Sequence, residues 1–222
     1  MGQPETESLS KDLVVQTAIA LADRHGLDWL SMRKLADELG AGAMSLYYYV
    51  PNREELVDEM IDVVFGEIEP PPLGIDWRTA MRRRAVSTRE ALNRHRWAVG
   101  LMEGRAKVGP NSIQLREAIL GCLRQAGFSV AMTVQAYSVQ DAYIYGFALQ
   151  EKGLPFESAE ESTEVAEATT QQVAELAENF PYLAEVVAGH VATVGYDFGQ
   201  SFEFGLDLIL DALDEQRDEP AP

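Results

Sequence analysis

The sequence holds one cysteine, Cys122, in 222 residues. An intramolecular disulfide is therefore excluded, and a reducing compartment is expected. Its three histidines, His25, His95 and His190, are dispersed, and none has a glutamate three positions before it. The Glu-x-x-His ligands of a di-iron bundle are missing, so no metal site is expected. Nucleophile elbow, P-loop and dinucleotide fingerprint are missing too, which leaves no enzyme and no cofactor in prospect. No apolar run approaches a membrane span, and the opening MGQPETESLS is acidic and polar, unlike a secretory leader. The expectation is a soluble cytoplasmic protein with no membrane partner.

Positive charge is scarce as well: 18 basic against 36 acidic side chains give a net charge of −18, which on its own speaks against nucleic acid as a partner. The deficit is uneven, however. Residues 8–60 carry 5 basic and 9 acidic groups, residues 76–107 carry 9 and 3, and residues 108–222 carry 4 and 19. The acidity belongs mainly to the second half, so local geometry decides the question of DNA.

What is present reads as helix, with no strand-like alternation and no fixed-period repeat. Ser10 caps a first helix with Leu13, Val14, Thr17, Ala18, Leu21 and Ala22 on one stripe, ended by Gly26. Ser31 caps a short second helix ended by Gly40. Met44 to Val50 form a third, stopped by Pro51. Asn52 caps a fourth, with Glu55 placed to complete a capping box. The run EPPPLG, residues 69–74, then marks a boundary between residues 1–68 and residues 69–222. Further helices are expected at about 76–94, 112–126, 129–152, 162–179, 181–193 and 197–216. The ending DEQRDEPAP is expected to fray.

Two short helices joined by a tight glycine turn, behind a longer one, have the spacing of a helix-turn-helix, whose second short helix enters the major groove. Within LYYYV, residues 46–50, Leu46, Tyr49 and Val50 follow the i, i+3, i+4 rule and seat the helix. Tyr47 and Tyr48 then point outward with Ser45, and rings so placed suit sugar-phosphate and thymine methyls. Gly42 and Ala43 let backbone amides approach a phosphate. Arg33 suits a guanine edge or a phosphate clamp, and Lys34 and Arg53 suit phosphates.

The stretch LSMRKLADELGAGAMSLYYYVPNREELVDEMID, residues 30–62, resembles the DNA-binding domain of the TetR family of bacterial transcriptional regulators. The segments ALNRHRW, CLRQAGFSVAMTVQAYSVQDAYIYGFALQE and FEFGLDLILDALDEQ resemble the C-terminal domain of the tetracycline repressors within it. The resemblance implies an all-α homodimer: an N-terminal three-helix helix-turn-helix domain, then a helical effector-binding and dimerisation domain. Residues 129–152 and 197–216 would pair with their symmetry mates in a four-helix bundle. It implies operator double-stranded DNA and a small-molecule effector of unknown identity as partners. The implied function is a ligand-responsive regulator, a repressor released by the small molecule. The alternative is a helical dimeric binding module without DNA affinity.

Carried over by motif, the family's DNA contacts fall on Ser31, Arg33, Gly42, Ala43, Met44, Ser45, Tyr47, Tyr48, Tyr49 and Arg53. Tyr49 thus has two readings, inward by periodicity and phosphate-facing by family. An apolar pocket is expected among Trp97, Leu101, Met102, Leu115, Ile119, Tyr137, Gln140, Tyr143 and Tyr145. Where tetracycline repressors hold magnesium with histidines, this sequence has Ile68 or Glu69 and Met102, so a tetracycline–magnesium ligand is not expected. The basic run 77–96 is expected to form a solvated face paired with the acidic segment 157–178.

Overall fold

The computed structural model describes residues 9–102, 107–154, 159–175, 177–191 and 198–217, and among them every regular element is helical. Linker residues 103–106 and 155–158, residues 192–197, and the last five residues of the expected frayed end lie outside the described residues.

Helix α1 (Lys11–His25) starts at Ser10, whose Oγ accepts from the Leu13 amide at 3.2 Å. It buries Val14, Val15, Ala18, Ile19, Leu21 and Ala22, a stripe turned slightly from the expected one, with Leu13 at its margin. Gly26 ends it at φ 82, a left-handed conformation that disfavours any side chain. Helix α2 (Met32–Glu38) packs on α1, and α3 (Ala43–Leu46) on α2. Helix α3 is shorter than the expected 44–50. Residues 47–50 continue it as tight turns, with Tyr49 and Val50 both donating to the Leu46 carbonyl at 2.9 Å. Pro51 explains the early stop, because its ring drives Val50 out of the helical region.

Helix α4 (Arg53–Gly66) begins at Asn52, whose side chain accepts from the Glu55 amide at 2.9 Å. Only half of the expected capping box forms: the Glu55 carboxylate turns to Lys107, 3.4 Å away. Helices α5 (Trp77–Arg94), α6 (Pro110–Gln125), α7 (Val130–Lys152), α8 (Ala159–Glu175), α9 (Pro181–Val186) and α10 (Phe198–Gln216) follow. One apolar core runs from Val14 on α1 to Leu213 on α10. Helix α4 belongs to both ends of it, packing against α1 on one side and α6 on the other. Helices α8 and α9 enclose a separate small cluster of Ala166, Val173 and Val187.

The basic helix α5 is an ion-paired face, as expected of a charge run, with partners on three other elements. Arg78 pairs with Asp211, Arg82 with Asp207 and, at 3.8 Å, Glu203, all on α10. Arg89 forms a two-pronged pair with Glu151 on α7, and Arg94 reaches Glu67 at the end of α4. Residues 157, 158 and 176 of the acidic segment lie outside the described residues. Helix α5 lies against α7 and α6, which brings the carboxylates of α7 and its neighbour α10 within reach first.

Candidate nucleic-acid interface and its link to the helical core

In the N-terminal head, the spacing of LYYYV sorts its side chains as the 3.6-residue period requires. Leu46 and Val50 are sealed in the core, whereas Tyr48 is 86% exposed and Met44 82% exposed. Tyr47 is exposed too, with Ser45 and Gly42 beside it. Neither the Tyr47 nor the Tyr48 hydroxyl has a partner among the described residues. The Tyr49 ring packs on the core, and its hydroxyl donates to the Leu9 carbonyl at 2.7 Å. Tyr48 meets the Tyr49 ring edge-on, with centroids 5.2 Å apart, so the inner ring props the outer one.

Ser31 caps α2, accepting from the Lys34 amide at 3.3 Å, and Arg33 beside it is exposed with no hydrogen bond or ion pair among the described residues. Lys34 and Arg53 are engaged. The Lys34 ammonium lies 3.7 Å over the Trp29 ring and donates to the Trp29 carbonyl. Arg53 donates to the carbonyls of Leu30 (3.2 Å) and Leu27 (2.9 Å). These two cations brace the turn between α1 and α2, while Arg33 is free to meet a ligand. Ala43 is half-buried at the start of α3, and a Cβ added at Gly42 would meet open space.

Of the nine residues expected to line a pocket, three border hollows lined by described residues. Trp97 and Leu101 border an open hollow of about 840 Å³ between the end of α1 and the end of α5. Met102 borders a separate one of about 190 Å³ beside α4 and α6. Leu115, Ile119 and Gln140 are core residues. Tyr143 donates to the Phe202 carbonyl on α10 at 2.9 Å, Tyr137 lies under the Arg116 guanidinium, and Tyr145 is packed at the edge of the core. Burial holds the Tyr143 phenol above its ordinary pKa, against a smaller opposing pull from Arg89. Ile68 is buried and has no donor atom, and the Glu69 amide donates to Ser87 Oγ at 2.9 Å.

Two long-range contacts tie the head to the core, and sequence reading missed both. In the first, His95 at the end of α5 sets its two ring nitrogens 2.8 Å from Asp23 of α1 and 3.0 Å from Glu67 after α4. Trp97 Nε1 donates to the same Asp23 carboxylate at 2.7 Å. Burial alone would raise the Glu67 pKa, but hydrogen bonds from Arg94 and His95 outweigh it and hold the group below its ordinary 4.5. A carboxyl depressed on folding contributes stability that is present above its unfolded pKa and lost as pH falls through the folded one. Acid titration followed by circular dichroism should therefore show Glu67→Gln less destabilised than wild type from about pH 4.5 downwards. The groups are partly exposed, and the difference should shrink in high salt.

In the second contact, Asp62 of α4 caps another helix. Its carboxylate accepts from the amides of Asn111 (3.3 Å) and Ser112 (3.1 Å) in the first turn of α6, and Asn111 Nδ2 returns a bond to the Asp62 carbonyl at 3.0 Å. Gly109 permits this approach, since a Cβ there would overlap the Asp62 carboxylate. Gly109→Ala should displace that carboxylate and remove the cap, worth about 1 kcal/mol, with steric strain added. A fall in Tm of roughly 3–8 °C is the expected result by calorimetry.

Residues 14–60 match the family described as bacterial regulatory proteins, tetR family, and residues 70–217 match the tetracyclin repressor-like C-terminal domain. The chain belongs to the tetR family. It is 36% identical, over 97% of its length and 82% of the relative's, to the HTH-type transcriptional repressor DrrR1 of Streptomyces coeruleorubidus. It is 28% identical to the class A tetracycline repressor protein of Escherichia coli, covering 94% of this chain and 92% of that one. Among solved structures, apo ActR from Streptomyces coelicolor superposes with a TM-score of 0.78 at 30% identity, over 96% of this chain and 98% of that one. ActR in complex with actinorhodin gives the same TM-score at 29% identity, over 95% and 99%. Membership of the tetR family makes the protein a ligand-responsive, DNA-binding transcriptional regulator.

Proposed function

We propose that this regulator is a repressor that acts as a homodimer and leaves its operator when a small molecule binds residues 69–222. The observation that carries the DNA half is the outward presentation of Met44, Ser45, Tyr47 and Tyr48 on α3 and the turns that continue it, beside an Arg33 unpaired among the described residues. Each protomer would place α3 in one major groove. Ser31, Arg33, Gly42 and Ala43 would meet phosphates or a guanine edge, and the tyrosines would meet backbone and thymine methyls. Lys34, Tyr49 and Arg53 would join only after yielding internal bonds, so they rank behind. DrrR1 is named a repressor, and ActR binds actinorhodin in its solved complex; both support the reading for this chain.

Four exposed apolar side chains on the paired helices α7 and α10, Val134, Val139, Phe204 and Leu208, support the homodimer. No helix among the described residues is long and apolar enough to cross a membrane.

Fluorescence anisotropy with duplexes from the DNA flanking the protein's own gene tests the reading. Saturable binding should appear at nanomolar protein, on the order of 10⁻⁸ M or tighter, because specific sites are read that strongly. Its dependence on salt should be shallow, since few cations neutralise phosphates. Absence of binding at low salt would favour the alternative, a helical dimer without DNA affinity, for which the acidic balance of the head is the supporting observation.

A further inference from the structure

Residues 8–60 hold five cationic side chains, Lys11, Arg24, Arg33, Lys34 and Arg53, and four of them are held inside the head. Lys11 pairs with Glu59 and Arg24 with Glu38, each at 2.8 Å, and Arg53 is taken up by the Leu30 and Leu27 carbonyls. Lys34 is held in another way. No carboxylate pairs with it among the described residues. Its ammonium lies 3.7 Å over the Trp29 ring and donates to the Trp29 carbonyl at 3.1 Å. The same indole meets the His25 ring, with centroids 4.3 Å apart, and is 38% exposed, so it stands at the surface and outside the apolar core. Of the four held cations, Lys34 alone shares a helical turn with Arg33, at the start of α2.

We infer that Trp29 is a positioning residue for DNA binding: its ring and carbonyl hold the Lys34 ammonium back from the phosphates, which keeps affinity for non-operator duplex low. The inference rests on the reading of α2 and α3 as the DNA-facing surface and adds the residue that sets how much charge this surface offers. An ammonium over a ring face and on a carbonyl must give up both to reach a phosphate, whereas a hydrated lysine gives up only water. The consequence is electrostatic. Each cation that settles on a phosphate releases condensed counterions and adds affinity for every sequence alike. A lysine held back removes that uniform contribution and leaves Arg33 and the α3 face to decide where the protein stays. The balance of 5 basic against 9 acidic groups in residues 8–60 acts in the same direction.

The measurement is duplex binding by the full-length chain across a salt series, on an operator duplex and on one of scrambled sequence. Trp29→Leu keeps an apolar side chain and removes the ring face. Its plot of log K against log salt concentration should steepen by about 1.8, or 0.9 for each half of a dimer, and the scrambled duplex should bind at least about tenfold tighter near 50 mM salt. Trp29→Phe keeps a ring face and should stay near the wild-type slope. Adding Lys34→Met to Trp29→Leu should cancel the steepening. Lys34→Met alone should move the slope far less than it does in that background. A merely structural Trp29 would change melting temperature or affinity without this exchange between residues 29 and 34. The proposal is overturned by an unchanged slope in Trp29→Leu, a steepening that survives Lys34→Met, or an equal steepening in Trp29→Phe. Weaker binding of Trp29→Leu to either duplex overturns it too. So does a Lys34→Met slope flattened by the full 1.8 or so, which would put Lys34 on phosphates already and needs no change at Trp29. A wild-type protein with no preference for operator is instead a failure of the repressor reading, and the scrambled duplex still reads the slopes in that case.

Discussion

Arg33→Ala and Tyr48→Ala should each weaken operator binding about thirtyfold or more while leaving the melting temperature unmoved. The stability half follows from exposure. Arg33 makes no hydrogen bond or ion pair among the described residues, and Tyr48, 86% exposed, loses only its edge contact with Tyr49. Surface changes of that kind sit within about 0.5 kcal/mol of neutral. The binding half follows from number. A well-made base or phosphate contact contributes about 1–3 kcal/mol, and a two-fold dimer loses it twice, so at least about 2 kcal/mol disappears at 1.4 kcal/mol per decade. Conservative variants divide the roles. Arg33→Lys should restore binding if Arg33 clamps a phosphate, because charge suffices there, and should fail if the planar fork reads a guanine. Tyr48→Phe keeps the ring and removes the hydroxyl, so its loss measures the phosphate bond alone. Anisotropy on the same duplex reads all four. Unchanged affinity in both alanine variants would overturn the groove-facing placement of α3.

Much of this head can be read along the chain because its determinants are local. Ser10, Ser31 and Asn52 each cap a helix within three residues of themselves, and the period of 3.6 separates Leu46 and Val50 from Tyr47 and Tyr48. Pro51 acts on its immediate neighbour, which is why the end of α3 moved by a few residues rather than the helix vanishing. The contacts that join head to core are of another kind. His95 and Asp23 lie 72 residues apart, and Asp62 and Asn111 lie 49 apart. No local pattern encodes such a meeting, and each carboxylate reads in isolation as a solvated charge.

Arg84 stands between these cases. Within RRR it resembles its neighbours, but Ala80, Met81, Arg84, Ala85, Thr88, Ala91 and Leu92 form one helical stripe, and all are buried. The signal was present in the spacing; the composition of the run concealed it. The residues expected to line a pocket carry a weaker signal: aromatic and aliphatic side chains announce burial without saying which of several seams they fill.

The proposed seam between protomers is open to the same kind of reasoning, and Leu208→Glu should break it. Helix α10 buries Phe202, Leu206, Leu210 and Leu213 in its own protomer, yet Phe204 is 68% and Leu208 55% exposed. Helix α7 likewise turns Val134 and Val139 outward while Ala136, Ile144 and Ala148 face in. A helix with apolar residues on both faces calls for cover on both, and two such helices packed together make half of a four-helix bundle. A two-fold axis through that bundle would bring each Leu208 near its own copy, so the variant sets two carboxylates into one apolar interface. Burying them without partners costs several kcal/mol each, beyond what a dimer can absorb at micromolar concentration. Light scattering should then give a mass near 24.5 kDa instead of twice that value. Helix content should stay unchanged, because Leu208 is more than half exposed in its own chain. Operator binding should fall by orders of magnitude, since the second half-site contact is no longer intramolecular. Leu73→Glu serves as the control: Leu73 is 79% exposed in the loop between α4 and α5 and belongs to neither helix, and its replacement should leave mass and binding alone. A Leu208→Glu protein that remains a dimer would move the two-fold axis off α7 and α10, to a face such as the exposed Phe180, Tyr182 and Val186 at α9.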